Sequence, residues 1–139
     1  MLLQSPIKSM IAAALISITG LACADDWPVL RKGMWNFTRV IEHSAGGAQS
    51  IASKKCTSPT EDMKKQQAAS AQAGCTVSPV TRSANAYTFE ATCKLQGQTV
   101  QSKSVMSVES DSAYKIKVES RSGAQGTKEL LVAHRTGDC

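Results

Sequence analysis

The sequence predicts a mainly β protein, an antiparallel up-and-down meander forming a small open or closed barrel, with one short α-helix and two disulfides. Three observations predict it. From Trp35 onward, runs of two-residue hydrophobic alternation are separated by clusters of turn residues. One segment, beginning at Ser58, carries the signature of a helix start. Four of the five cysteines lie beyond an export leader, an even set that can pair.

The leader comes first. Lys8 supplies a positive n-region, and Met10 to Leu21 is an apolar run broken only by Ser17, Thr19 and Gly20. That run is shorter than the ~20 residues a membrane span needs. Ala22-Cys23-Ala24 then gives the A-x-A pattern of a cleavage site before Asp25. The reading is a signal peptide over residues 1–24 and a single β-rich, disulfide-stapled domain over 25–139, exported to the periplasm. A second route would cut before Cys23 and lipidate it. Gly20 stands where such signals carry a large aliphatic residue, which favours cleavage after Ala24. No other segment could cross a membrane, so none remains once the signal is removed.

Removing Cys23 leaves Cys56, Cys75, Cys93 and Cys139, in a compartment where disulfides persist. Cys75 and Cys93 flank two strand-like runs, Thr76 to Val80 and Tyr87 to Thr92, with a turn-like Arg82-Ser83-Ala84-Asn85 between them. Ala84 is equidistant from both cysteines, so they face each other across a hairpin. Facing Cα atoms there stand ~4.5–5.5 Å apart, a spacing that suits a disulfide. Cys56 is left to pair with Cys139. In the loop-entropy account the longer bridge contributes roughly 4 kcal/mol and the shorter about 3 kcal/mol. Free or metal-bound thiols are the alternative, but no C-x-x-C unit supports zinc.

Trp35 to His43 alternates, with Trp35, Phe37 and Ile41 on one face and Arg39 among them. Gly46-Gly47 marks a turn, and Ala48 to Cys56 returns as a polar strand. Ser58-Pro59-Thr60-Glu61 then sets an N-cap serine, a first-turn proline and a glutamate at the capping-box place. Helix formers run from Met63 to Ala69, and Gly74 is a fitting stop. Beyond Cys75, Tyr87, Phe89, Ala91, Cys93 and Leu95 share one face. Gly97-Gln98 turns the chain into Val100, Ser102, Ser104, Met106 and Val108, an inner face poor in large side chains. Ser110-Asp111-Ser112 leads to Tyr114, Ile116 and Val118, alternating with Lys115, Lys117 and Glu119. Ser122-Gly123-Ala124 leads to Leu130-Leu131-Val132-Ala133, whose facing the pattern leaves open. Seven or so such strands curl toward a barrel, because closure removes exposed edges.

Composition narrows the function classes. Aromatics are 4% of the chain, so the core is thin and disulfides are useful staples. The net charge of +5 is spread along the chain, and Lys8 leaves with the signal. That is a solvated surface, not a nucleic-acid footprint.

Gly33-Met34-Trp35, Cys56-Thr57-Ser58-Pro59 followed by Asp62, Gly74-Cys75 with Val77, the hairpin to Cys93, and Gly137-Asp138-Cys139 together resemble a bacterial exported family, domain of unknown function 3617 (DUF3617). The resemblance spans Lys32 to Cys139. Asn36 replaces the acidic residue that often follows the tryptophan, and the loop after Cys93 is less glycine-rich than usual. The resemblance implies an envelope location and a β-rich fold. It supplies no activity and no catalytic residues.

No constellation of residues points to catalysis. His43 and His134 are the only histidines, too few for a zinc site. There is no G-x-S-x-G elbow and no phosphate-binding loop before the helix. The expectation is no enzyme, no metal and no cofactor. Arg39 stands out, because an inward charge is uncommon unless it is paired or meets a ligand; the alternative is a strand end or bulge that takes it to solvent. Trp27 and Trp35 either fill the core or line a pocket. Trp35, Phe37, Arg39 and Tyr114 are the candidate ligand-binding residues. The expected function is a small barrel holding an apolar or amphiphilic ligand. The alternative is an envelope protein-interaction or assembly factor.

Overall fold

The computed structural model describes residues 26–139; the predicted signal peptide over 1–24, with Cys23, lies outside the described residues. In chain order the elements are β1 (Gly33–His43), β2 (Ala48–Thr57), α1 (Pro59–Gln72), β3 (Cys75–Val77), β4 (Thr81–Ser83), β5 (Ala86–Leu95), β6 (Gln98–Ser110), β7 (Ala113–Ser122) and β8 (Gln125–Gly137). They form one antiparallel sheet in the order β2-β1-β8-β7-β6-β5-β3, with β4 also pairing β5. β5 to β8 are a meander of consecutive hairpins, and β8 returns beside β1. β2 and β3 do not pair, so the sheet is open; of the two expected forms of barrel, the closed one is not made.

The alternation places the strands well, and the exceptions have local causes. Of the run from Thr76 to Val80 only Thr76 and Val77 are strand, in β3; the chain leaves the ladder around Pro79, which has no N–H to give it, and pairs with β5 again as β4 from Thr81. Arg82 and Ser83 therefore belong to β4, and the turn narrows to Ala84-Asn85. The β5–β6 turn is Gln96-Gly97, both with positive φ (50° and 77°). That is the conformation a two-residue hairpin needs to match strand twist.

Both disulfides join the expected partners. Cys75 and Cys93 are opposite in register with Cα atoms 4.1 Å apart. Cys56 and Cys139 close the long loop at 6.0 Å. The helix starts with proline as read, but its cap differs. Ser58 makes no side-chain cap hydrogen bond. Instead Thr57 Oγ1 donates to Asp62 Oδ2 at 2.5 Å, Lys55 Nζ donates to the same oxygen at 3.0 Å, and Glu61 pairs with Lys64.

The core occupies one half of one sheet face. Trp35, Tyr87, Met106, Tyr114 and Ala133 come from five strands, near the starts of β1, β5 and β7 and the ends of β6 and β8. Leu131 and Ala133 point inward, which settles the facing of β8. Over them lie Trp27 and Leu30 from the segment before β1, and Val80 from the β3–β4 loop. Thr60 Oγ1 accepts from Leu30 N at 3.1 Å and donates to the Pro28 carbonyl at 2.8 Å, tying that segment to α1. Trp27 Nε1 donates to Gln67 at 3.3 Å, and the Trp27 ring packs 5.3 Å from Phe89.

Candidate functional site

Strand register sorts the core face into cross-strand rows. Nearest the covered end, Val108, Tyr114, Ala133 and Phe37 are successive partners. The next row is Tyr87, Met106, Ile116, Leu131, Arg39 and Ile51. Beyond it come Phe89, Ser104, Val118, Glu129 and Ile41, and then Ala91, Ser102, Ser120, Thr127 and His43. Side-chain size thus falls from one end of the sheet to the other. The covered end is filled by aromatic side chains, with a groove of about 510 Å³ between Trp27, α1 and Val77, whereas the distal end is floored by alanine, serine and threonine.

Two grooves lie at that distal end. The larger, about 880 Å³, is lined by Glu90 to Thr92 of β5, Gln101 to Lys103 of β6, Glu119 to Arg121 of β7, Gln125 to Lys128 of β8 and the end of β1, with residues of the adjoining turns. Adjacent residues alternate faces. Its lining takes residues from both faces: Ala91, Ser102, Ser120, Thr127 and His43 from the core-face row, and Glu90, Lys103, Glu119, Lys128 and Glu42 from the opposite face. One wall is the register row Glu90, Lys103, Glu119, Lys128 and Glu42. Its charges alternate in sign, a pattern that supports the sheet by cross-strand attraction.

The smaller groove, about 460 Å³, is lined by Val100, Ser120, Ser122, Gln125, Thr127 and His43 from core-face positions, together with Arg121, Gly126 and the turn residues Ser44, Ala45 and Gly46; it shares His43, Ser120 and Thr127 with the larger one. Ile51 and Leu95, on the same face, are 43% and 49% exposed. This volume is within the range of small-molecule sites.

The four residues singled out from sequence fall elsewhere. Trp35 is completely buried and Tyr114 nearly so, their rings 5.5 Å apart, and Phe37 packs against them. Trp35 Nε1 donates to the Arg31 carbonyl at 3.0 Å. These three fill the core, and none lines either groove. Arg39 does face inward, and its Nε meets Glu129 Oε1 at 2.9 Å. It stands between the packed half and the distal half. Ser120, Thr127 and His43 were not singled out, because only the register reveals that they lie side by side.

The family model for a protein of unknown function, DUF3617, matches residues 30–139. The chain belongs to the DUF3617 family. No curated protein and no solved structure matches it. In this DUF3617 chain the matched region contains the whole sheet, α1 and both disulfides. The described residues include no helix long and apolar enough to cross a membrane, and no group of three His, Cys, Asp or Glu that could hold a metal ion.

Proposed function

We propose that this DUF3617 protein is an exported, periplasmic binding protein without catalytic activity, and that the distal core face holds a small amphiphilic molecule. One observation carries the reading. α1 and the segment before β1 pack at the other end of the sheet, while Ile51 and Leu95 stay exposed on the face to which a groove lined in part by Ser120, Ser122 and Thr127 also belongs. Covering such apolar surface contributes ~25 cal/mol per Å². Ser120, Ser122 and Thr127 offer hydroxyls to a polar part of the same ligand. Two disulfides support export to an oxidising compartment. His43 and His134 have opposite facing, an arrangement that supports binding over paired acid–base chemistry.

Native mass spectrometry of protein purified from periplasm tests the proposal. The expected result is a chain starting at Asp25, with two disulfides and a non-covalent adduct that extracts into organic solvent. A chain that carries no adduct and binds no fluorescent lipid probe contradicts it.

A second reading, an assembly factor, draws on β2. This edge strand pairs only with β1, and it is exposed from Ala48 to Cys56. A partner strand could add there, although Lys54 and Lys55 are the kind of edge charges that discourage it. Crosslinking from β2 in living cells should trap one stable partner if this reading holds.

A further inference from the structure

We infer that the bound amphiphile has an anionic head and that Arg39 holds it. This rests on the binding reading above and names the ligand class. Arg39 is on the core face, yet its side chain is 48% exposed. Glu129 Oε1 makes its closest approach at Nε, not at the two terminal nitrogens, and among the described residues Glu129 is the one carboxylate paired with Arg39. Those two nitrogens form the fork that matches a carboxylate or phosphate with paired hydrogen bonds.

The surroundings fit the rest of such a molecule. Register places Leu131 and Ile51 beside Arg39, and Ile41 and Val118 beside Glu129. Thr127, in the groove lining, is two residues from Glu129 along β8. Arg39 stands two rows from the Thr127–His43 row that lines the groove, and the aliphatic Ile41 and Val118 lie in the row between, where the body of such a molecule would pass. A cationic head is disfavoured, because Glu129 already serves Arg39 and the guanidinium repels a second cation. A neutral head gains only the hydroxyls.

The arrangement also predicts a sign. Glu129 orients Arg39 but competes with an incoming anion for it. Removing the Glu129 charge strengthens anion binding, and removing the Arg39 charge weakens it.

Displacement of a neutral fluorescent acyl probe tests this. The competitors are dodecanoate, dodecyl phosphate, dodecanol and dodecyltrimethylammonium, each below its micelle-forming concentration. In the wild-type chain the better anion should compete at least tenfold more strongly than dodecanol, and the order of the two anions distinguishes a carboxylate source from a phosphate source. Arg39→Gln should abolish the anion preference and leave dodecanol within twofold. Arg39→Lys should retain most of it, and Glu129→Gln should strengthen the anions several-fold. Equal competition by dodecanol and the anions overturns the charge inference but leaves the groove reading standing. No probe binding, or no competition by any of the four, overturns both. If Arg39→Gln and Glu129→Gln weaken every ligand alike, the pair only joins β1 to β8 and the inference fails.

Discussion

Arg135 links the two ends of the described chain. Its nearly buried side chain donates from Nε to the Lys32 carbonyl at 2.9 Å and pairs with Asp138. A side chain at Gly33 would overlap both Arg135 Nε and the Gly137 carbonyl. The glycine of the G-x-W opening thus admits a guanidinium from β8. Gly33→Ala should destabilise by about 1–3 kcal/mol, the usual range for overpacking, seen as a lower urea midpoint. Trp35→Ala should cost about 3–5 kcal/mol, as for other buried aromatics. Tyr114 gives a pH signature. Burial, helped by the Asp62 charge, pushes its hydroxyl from 10.0 up to about 12. The folded state then keeps this proton longer than the unfolded state does. Its contribution is complete below pH 10 and is lost as pH rises toward 12. Tyr114→Phe should flatten that part of the alkaline unfolding curve. At this scale the sequence showed which residues face inward, but it could not separate core from pocket. Trp35 and Tyr114 have the same periodicity as Ile41 and Val118. What differs is which end of each strand α1 and the N-terminal segment cover.

Elements were the most legible level. Two-residue alternation marked the long strands, a proline marked the helix start, and a hairpin midpoint chose the disulfide pairing. The parts that were not legible depend on neighbours. Ser58 had the sequence claim to a capping bond but makes none; instead the Asp62 carboxylate of the first turn accepts from the Thr57 hydroxyl and from Lys55. The Thr57 hydroxyl, with help from Lys55, holds the Asp62 carboxyl below its ordinary 3.8. That contribution is present above the ordinary value and fades as pH falls below it. Thr57→Val should therefore be less stable than wild type at neutral pH, and the gap should narrow in acid. Replacing both Cys56 and Cys139 with serine should cost about 4 kcal/mol on the loop-entropy account, more than replacing Cys75 and Cys93. The charged row on the outer face predicts a further effect. Glu119→Lys puts like charges opposite both Lys103 and Lys128. It should destabilise by roughly 1 kcal/mol at low ionic strength and less in high salt.

The whole molecule is a sheet covered at one end and open at the other. Its covered half has aromatic packing, and its distal half relies on ladder hydrogen bonds, cross-strand charges and the Cys75–Cys93 bridge. Amide hydrogen exchange should be slower around Trp35, Met106 and Tyr114 than around Ser120 and Thr127, because buried apolar contacts limit local opening. The open sheet was within the fold read from sequence. The groove was not legible, since its floor comes from residues far apart in the chain whose adjacency depends on register. The central claim is that this uncovered distal face binds an amphiphile. Its most direct test is a fluorescent lipid-probe titration of wild type against Ser120→Trp, which fills the groove at a site away from the core. Saturable binding by the wild type that falls at least tenfold in a folded Ser120→Trp protein is the predicted result. Equal binding by both proteins, or none by the wild type, would contradict it.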